Sequence, residues 1–305
     1  MRPRIIFLVG PTASGKTKTA VELAKKLKGE IISCDSMQLY KGMDIITSKP
    51  DRVLMRAARH HLIGSVSPEK EYNVSRYCKD VRRKIKDILK RKRMPLVVGG
   101  TGLYMSILVD GLFKSISPKQ GVRARLYKEA EAKGSGYLHS KLKEVDPPAA
   151  MKIHPNDTKR IVRALEVFES TAQPISKLQK ERNGLSKEYE IKIFGLDMPR
   201  DELYKRIDDR VDKMFSSGLV DEVKRVLKLK LSKTSGYAIG VREIKSYLGG
   251  EYDLEEAKRL IKRNTRQYAK RQMTWFRKDK RIDWIRITGK ERPAVIADKV
   301  NIKLS

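Results

Sequence analysis

The sequence predicts an α/β fold, a parallel sheet flanked by helices and interrupted by a helical insertion domain. Two observations carry this. Short apolar runs at 5–9, 30–33 and 95–98 each end in small or polar residues, with stretches of helical spacing between them. From about 114 to 189 such runs vanish and charged helical patterns replace them. The first run leads into a helix over 16–27, where Val21, Leu23, Ala24 and Leu27 recur on one face. Breaks at Asp146-Pro147-Pro148 and His154-Pro155-Asn156-Asp157 punctuate the insertion, and Asn156 or Asp157 can cap a helix carrying Arg160, Arg163 and Glu166. A strand returns at 191–196, helices follow to Lys278, and a last strand lies near 284–287. The expected division is therefore a core of 1–113 with 190–305, including basic C-terminal helices, and an insertion of 114–189. In parallel sheets of this kind ligands sit beyond the C-terminal ends of the strands, so the polar groups after each run should converge on one site.

The chain of 305 residues is 40% hydrophobic, enough for a real core, yet carries a net charge of +31. A small phosphorylated substrate does not need that excess, whereas a polyanion does, because Lys and Arg neutralise phosphates and release condensed counterions. Two distant cysteines, Cys34 and Cys78, suit a reduced cytoplasmic chain and exclude a cysteine-based zinc site. The run 5–9 is too short for a signal peptide or membrane span, so no membrane partner is expected.

Gly10-Pro11-Thr12-Ala13-Ser14-Gly15-Lys16-Thr17 matches G-x-x-x-x-G-K-[ST] in full, between a strand and a helix. This makes the sheet P-loop NTPase-like. Inward-pointing amides and the helix N-terminus would meet phosphate oxygens, Lys16 would add a full charge, and the Thr17 hydroxyl could hold Mg2+. Asp35, after the second run, could act as a base, bind Mg2+ through water, or cap a helix. Gly99-Gly100-Thr101-Gly102 after the third run is either a structural turn or a close backbone approach that presents Thr101.

Between Arg259 and Lys278 the residues Arg259, Arg263, Arg266, Lys270 and Arg277 fall on one side of a helical wheel. Ile261, Tyr268, Trp275 and Phe276 fall opposite, which reads as a core-facing side behind a basic stripe without acids, suited to a phosphate backbone. Lys79 to Arg93 is a second, less patterned basic stretch. No histidine or carboxylate spacing suggests a metal site, and His60-His61 are read as structural.

Nearly end to end, the chain resembles the tRNA dimethylallyltransferases of bacterial type. The resemblance rests on the P-loop, Asp35-Ser36-Met37-Gln38, Lys41-Gly42-Met43-Asp44, His60-His61-Leu62-Ile63 and Val98-Gly99-Gly100-Thr101-Gly102-Leu103-Tyr104. It continues in His154-Pro155-Asn156-Asp157, Arg160-Ile161-Val162-Arg163-Ala164-Leu165-Glu166-Val167, Thr265-Arg266-Gln267-Tyr268-Ala269-Lys270-Arg271-Gln272 and Thr274-Trp275-Phe276-Arg277. Gly64 stands where that family usually has Asp, Ile46 and Ser48 replace small residues, and Val241 stands where Tyr is common. The zinc finger that eukaryotic members often carry is absent from the sequence.

The resemblance implies transfer of a dimethylallyl group from dimethylallyl diphosphate to N6 of the adenosine 3′ to the anticodon, in tRNAs reading codons that begin with U. It implies Asp35 as the base, Thr101 as an orienting group and Mg2+ as cofactor. It places Ser36, Met37, Gln38, Arg123, Lys159, Arg160, Ile161, Val162 and Arg163 at the tRNA, with Asp35 and Thr101. Arg210 is a further diphosphate candidate, although an arginine in 206–210 could equally form a surface ion pair. A cytoplasmic monomer is expected. The competing readings are prenylation of free adenylate, a P-loop small-molecule kinase that uses ATP, and a non-enzymatic RNA-binding protein.

Overall fold

A computed structural model describes residues 2–113 and 121–304. It separates into two compact units. One comprises the residues up to Ile107 together with those from Glu188 onward, and the other is Leu108–Lys187.

The first unit is built on six parallel strands: β1 (Arg4–Val9), β2 (Gly29–Ser33), β3 (His60–His61), β4 (Met94–Gly99), β5 (Glu190–Asp197) and β6 (Ile282–Arg286), in the order β3-β2-β4-β1-β5-β6. β1 is central, with Ile6 and Leu8 opposite Leu96 and Val98 on one side and Lys192 and Phe194 on the other. Side chains alternate across the sheet, so the apolar runs bury both faces, as a parallel sheet covered by helices requires. Ile6, Leu8, Leu96 and Phe194 pack with Ala20 and Leu23 of the helix Lys16–Lys26 and with Ala297 and Val300 of Pro293–Ile302. Each of these buried Ile, Leu, Val and Phe side chains contributes roughly 1.5–3 kcal/mol, and the alanines less. The helix Val74–Lys90 turns Tyr77, Val81, Ile85 and Ile88 inward. The basic stretch from Lys79 is thus its outward face, where Arg82 pairs with Glu188 and Arg83 with Asp80.

The expected strands are present, and β3 adds a pair of histidines too short and too polar to read as a strand. His61 Nε2 lies 2.7 Å from Glu30 Oε2, and Arg91 donates to both Glu30 oxygens at 3.1 and 2.8 Å. Burial alone would raise the Glu30 carboxyl; the bonds from Arg91 and His61 bring it below its ordinary value. His61 thus closes the sheet edge on a buried carboxylate, while His60 Nδ1 lies 2.8 Å from the Ala58 carbonyl oxygen.

The helix Leu254–Phe276 differs from its helical-wheel reading in two ways. Ile261 and Phe276 are buried, but Trp275 is exposed, its indole donating to Ser106 Oγ at 3.2 Å. The basic stripe also has acidic company. Arg259 pairs with Glu256, Arg266 makes two bonds to Asp208, and Arg277 lies 3.6 Å from Asp197. Wheel geometry sees only the carboxylates of its own helix, and two of these three come from elsewhere in the chain.

The second unit is helical. Its core gathers Leu126, Leu138, Leu142, Ile161, Val162 and Leu165. Its lower bound, Leu108, precedes the expected 114, and 114–120 lie outside the described residues. Asp157, not Asn156, caps Thr158–Thr171 by accepting the Arg160 amide at 3.2 Å.

Candidate active site

Three loops leave the C-terminal ends of β1, β2 and β4 and meet in one cleft of about 1410 Å³ within the first unit. The β1 loop is the phosphate loop. Gly15 sits at φ 88°, a left-handed conformation cheap only for glycine, and turns the chain into the helix Lys16–Lys26. The first-turn amides of that helix have no intrahelical acceptors and carry the positive end of the helix dipole, an anion seat. Lys16 lines the cleft, and its ammonium donates to the Pro11 carbonyl at 2.6 Å. Burial, and next the Arg210 guanidinium, bring its pKa down to about 7, while Asp35 works in the opposite sense.

Arg210 comes from the helix Arg200–Ser216, yet it reaches this loop, donating to Thr12 Oγ1 at 3.0 Å and to Ser48 Oγ at 2.7 Å. The ion-pair alternative falls to Arg206, which bonds Glu202 and the Gly289 carbonyl. Arg210 has no carboxylate within ion-pair distance among the described residues, so its charge faces the cleft. Ser48, one of the departures from the family pattern, is the residue that holds it.

The β2 loop carries Asp35. Its Oδ1 accepts the amides of Met37 and Gln38 at 2.8 and 3.3 Å, in a turn rather than a helix. One carboxylate oxygen therefore fixes the loop, and the other is left for a ligand. The Gln38 side-chain amide donates to the Ser48 carbonyl at 3.2 Å, tying this loop to the segment that supports Arg210.

The β4 loop supplies Thr101. Its amide donates to the Cys34 carbonyl at 3.1 Å, and its Oγ1 accepts the Ser36 amide at 3.1 Å. Glycines make this approach possible. A Cβ on Gly99 would sit 2.1 Å from the Cys34 carbonyl oxygen, and one on Gly100 would sit 2.2 Å from Gln272 Nε2. The Gly-rich segment is thus a close backbone approach, not only a turn.

The helix Leu254–Phe276 closes the cleft with residues that the sequence did not single out for the site. Tyr268 faces Thr101, Gln272 and Asp35; burial, and next the Asp35 charge, raise its phenol well above the usual range. Gln272 is buried and bridges two loops. Both stand in the region of the resemblance, but only their spatial neighbours disclose the contact. Val211, Met214, Ile239 and Ile261 give the cleft an apolar wall.

Thr17 lines the cleft beside Lys16. No cluster of three or more His, Cys, Asp or Glu side chains suited to a metal exists among the described residues. A divalent cation here would be shared between the Thr17 hydroxyl and ligand oxygens, which is how a phosphate loop holds one.

The remaining tRNA candidates lie in the second unit. Lys159 and Arg160 are exposed, and Arg163 is half-buried and pairs with Glu166. Arg123 makes two bonds to the buried Glu166 carboxylate, at 2.9 and 2.7 Å. Ile161 and Val162 are buried in that unit's core, so their side chains do not reach a ligand surface. Their neighbours in sequence point outward because a helix turns about 100° per residue.

The "IPP transferase" family model matches residues 38–279, and the "Isopentenyl transferase" model matches 3–65. The tRNA dimethylallyltransferase of Carboxydothermus hydrogenoformans is 46% identical over 302 residues, covering 98% of this chain and 97% of its own. The solved tRNA isopentenylpyrophosphate transferase of Bacillus halodurans aligns with a TM-score of 0.73 at 39% identity, over 100% of this chain and 96% of that one. A solved eukaryotic dimethylallyltransferase acting on tRNA aligns with a TM-score of 0.82 at 28% identity, over 98% of this chain and 78% of that one. The chain belongs to the IPP transferase family of tRNA dimethylallyltransferases.

Proposed function

We propose that this protein transfers the dimethylallyl group of dimethylallyl diphosphate to N6 of the adenosine 3′ to the anticodon, in tRNAs reading codons that begin with U, releasing diphosphate. The observation that carries the reading is one cleft in which Lys16, Arg210 and the phosphate loop share the lining with Asp35, whose neighbour Ser36 is held by Thr101 Oγ1. A kinase needs the same anion seat, but the relatives that match over nearly the whole chain are tRNA dimethylallyltransferases.

An adenine amino group is a weak nucleophile because its lone pair is delocalised into the ring. The allylic C1–O bond must therefore be well advanced in breaking when the N6–C1 bond forms. The first-turn amides, Lys16 and Arg210 stabilise the charge growing on diphosphate. The Thr17 hydroxyl would hold Mg2+, whose charge would further neutralise the leaving diphosphate. Val211, Met214, Ile239 and Ile261 would hold the five-carbon tail and keep water from the electrophilic carbon. The adenine would leave its stack to enter the cleft. The free oxygen of Asp35 takes the N6 proton, while Thr101 and Tyr268 orient the amine.

Ser36, Met37 and Gln38 would border the RNA beside Asp35, and Arg123, Lys159, Arg160 and Arg163 would contact it from the second unit. A monomer would suffice for this chemistry, because the phosphate loop, Asp35 and Thr101 all lie in the sequence of one chain. The free, buried Cys34 and Cys78 are in keeping with the cytoplasm. No helix among the described residues is long and apolar enough to cross a membrane.

The test mixes protein, Mg2+, labelled dimethylallyl diphosphate and unmodified tRNA. Label should enter the tRNA, and excess AMP should not compete. No label in the tRNA with folded protein, or label in AMP instead, sinks the reading.

A further inference from the structure

Gln272 is 5% exposed, and both atoms at the end of its side-chain amide are engaged. Oε1 accepts the Thr12 amide of the phosphate loop at 2.8 Å, and Nε2 donates to the Gly100 carbonyl of the Thr101 loop at 2.8 Å. The two loops leave adjacent strands, β1 and β4, and carry opposite halves of the chemistry. Thr12 accepts from Arg210, on the leaving-group side. Gly100 precedes Thr101, whose hydroxyl accepts the amide next to Asp35, on the nucleophile side.

We propose that Gln272 is a positioning residue that sets the distance between the diphosphate-binding loop and the adenine-binding loop. The proposal rests on the prenyl-transfer reading of the cleft. A hydroxyl also donates and accepts, but on one atom; an amide puts its acceptor and its donor on separate atoms of one side-chain end, and the task here needs both, for a backbone N–H on one loop and a C=O on the other. Glycine at position 100 is part of the same device, because a Cβ there would stand 2.2 Å from Gln272 Nε2 and push the amide off its partners. Thr12 thereby spends its amide on Gln272, so its N–H works for alignment and the anion is left to the other amides of the loop. Each loop still has its own anchors without Gln272, through Arg210 on one side and the Cys34 carbonyl on the other. Loss of the bridge should therefore leave each substrate bound and misplace them relative to each other.

The experiment is Gln272→Met in the full chain, with binding and turnover measured separately. Turnover should fall roughly ten- to hundredfold, as for reacting groups displaced by about an ångström, while dissociation constants for donor and for tRNA stay within about threefold. Unchanged turnover overturns the proposal, and so does a loss of affinity for one substrate that accounts for the whole fall. If the methionine variant does not fold, Gln272→Asn takes its place. It keeps the amide but is one methylene too short to span both partners, and the same split is expected. A double-mutant cycle adds a readout that packing alone would not move. Thr101→Ala should cost less in the Gln272→Met background than in wild type, and additive costs overturn the proposal. A wild-type protein that transfers nothing overturns the prenyl-transfer reading and this inference with it. An active wild type with an unimpaired variant overturns the inference alone.

Discussion

The Oδ1 atom of Asp35 holds the Met37 and Gln38 amides, so a base and a turn-former share one carboxylate. From its place in the sequence alone these two roles compete; the geometry lets each oxygen take one. Asp35→Asn keeps an oxygen for the two amides and removes the base. It should fold as wild type and bind tRNA with little change, yet lose roughly 10²- to 10⁴-fold in turnover. Lost tRNA binding in the Asn variant would instead make Asp35 structural. Lys16 gives a pH signature. Held down to about 7, chiefly by burial, it is largely neutral above that pH and charged below it in the donor-free protein. A bound diphosphate favours the charged form. Donor binding should therefore take up a proton near pH 8 and almost none near pH 6. Calorimetry in two buffers of different ionisation enthalpy measures this, and equal uptake at both pH values would refute the assignment.

At the scale of elements, what was legible followed local pattern. Strands β1, β2 and β4 and the phosphate-loop helix announce themselves by apolar runs, glycines and spacing. What was not legible is held by single side chains across long stretches of chain. Gln272 lies 260 residues from Thr12, and Glu222 lies 176 residues from Ile46. Neither carries a local signature, because a buried polar side chain looks like any helical Gln or Glu until its partners are placed. Trp275 was misplaced for the opposite reason: a wheel assigns it a side but does not say what covers that side. Glu222 is itself a test of how the cleft wall is held. Its buried carboxylate accepts the amides of Asp44, Ile45 and Ile46 at 3.0, 2.9 and 2.9 Å. Glu222→Ala strands three donors and should destabilise the protein by roughly 3 kcal/mol. The same segment carries Ser48, the partner of Arg210, so donor KM should rise as well. Chemical denaturation and donor titration check the two arms, and an unchanged KM would uncouple this segment from diphosphate binding.

Over the whole molecule the charge of +31 is the property that a small donor leaves unexplained. It is the excess left after every carboxylate is counted, and the carboxylates are not spread evenly: Arg259, Arg266 and Arg277 at the long C-terminal helix have carboxylates beside them, as do Arg123 and Arg163 of the second unit. Lys159 and Lys270 are exposed and appear in no ion pair among the described residues. An unpaired cation releases a counterion from RNA at full effect, whereas a paired one first gives up its carboxylate. The affinity for tRNA should therefore fall steeply with salt, by roughly a thousandfold between 50 and 200 mM if about six phosphates are neutralised. Donor binding, which involves one small anion in a cleft, should fall far less over the same range. Lys159→Ala and Lys270→Ala should each flatten the logarithmic salt slope for tRNA by about 0.7–0.9, and Arg259→Ala by less. Filter binding across a salt series measures all of these. A slope that the lysine substitutions leave unchanged would assign the RNA contact to other faces of the two units.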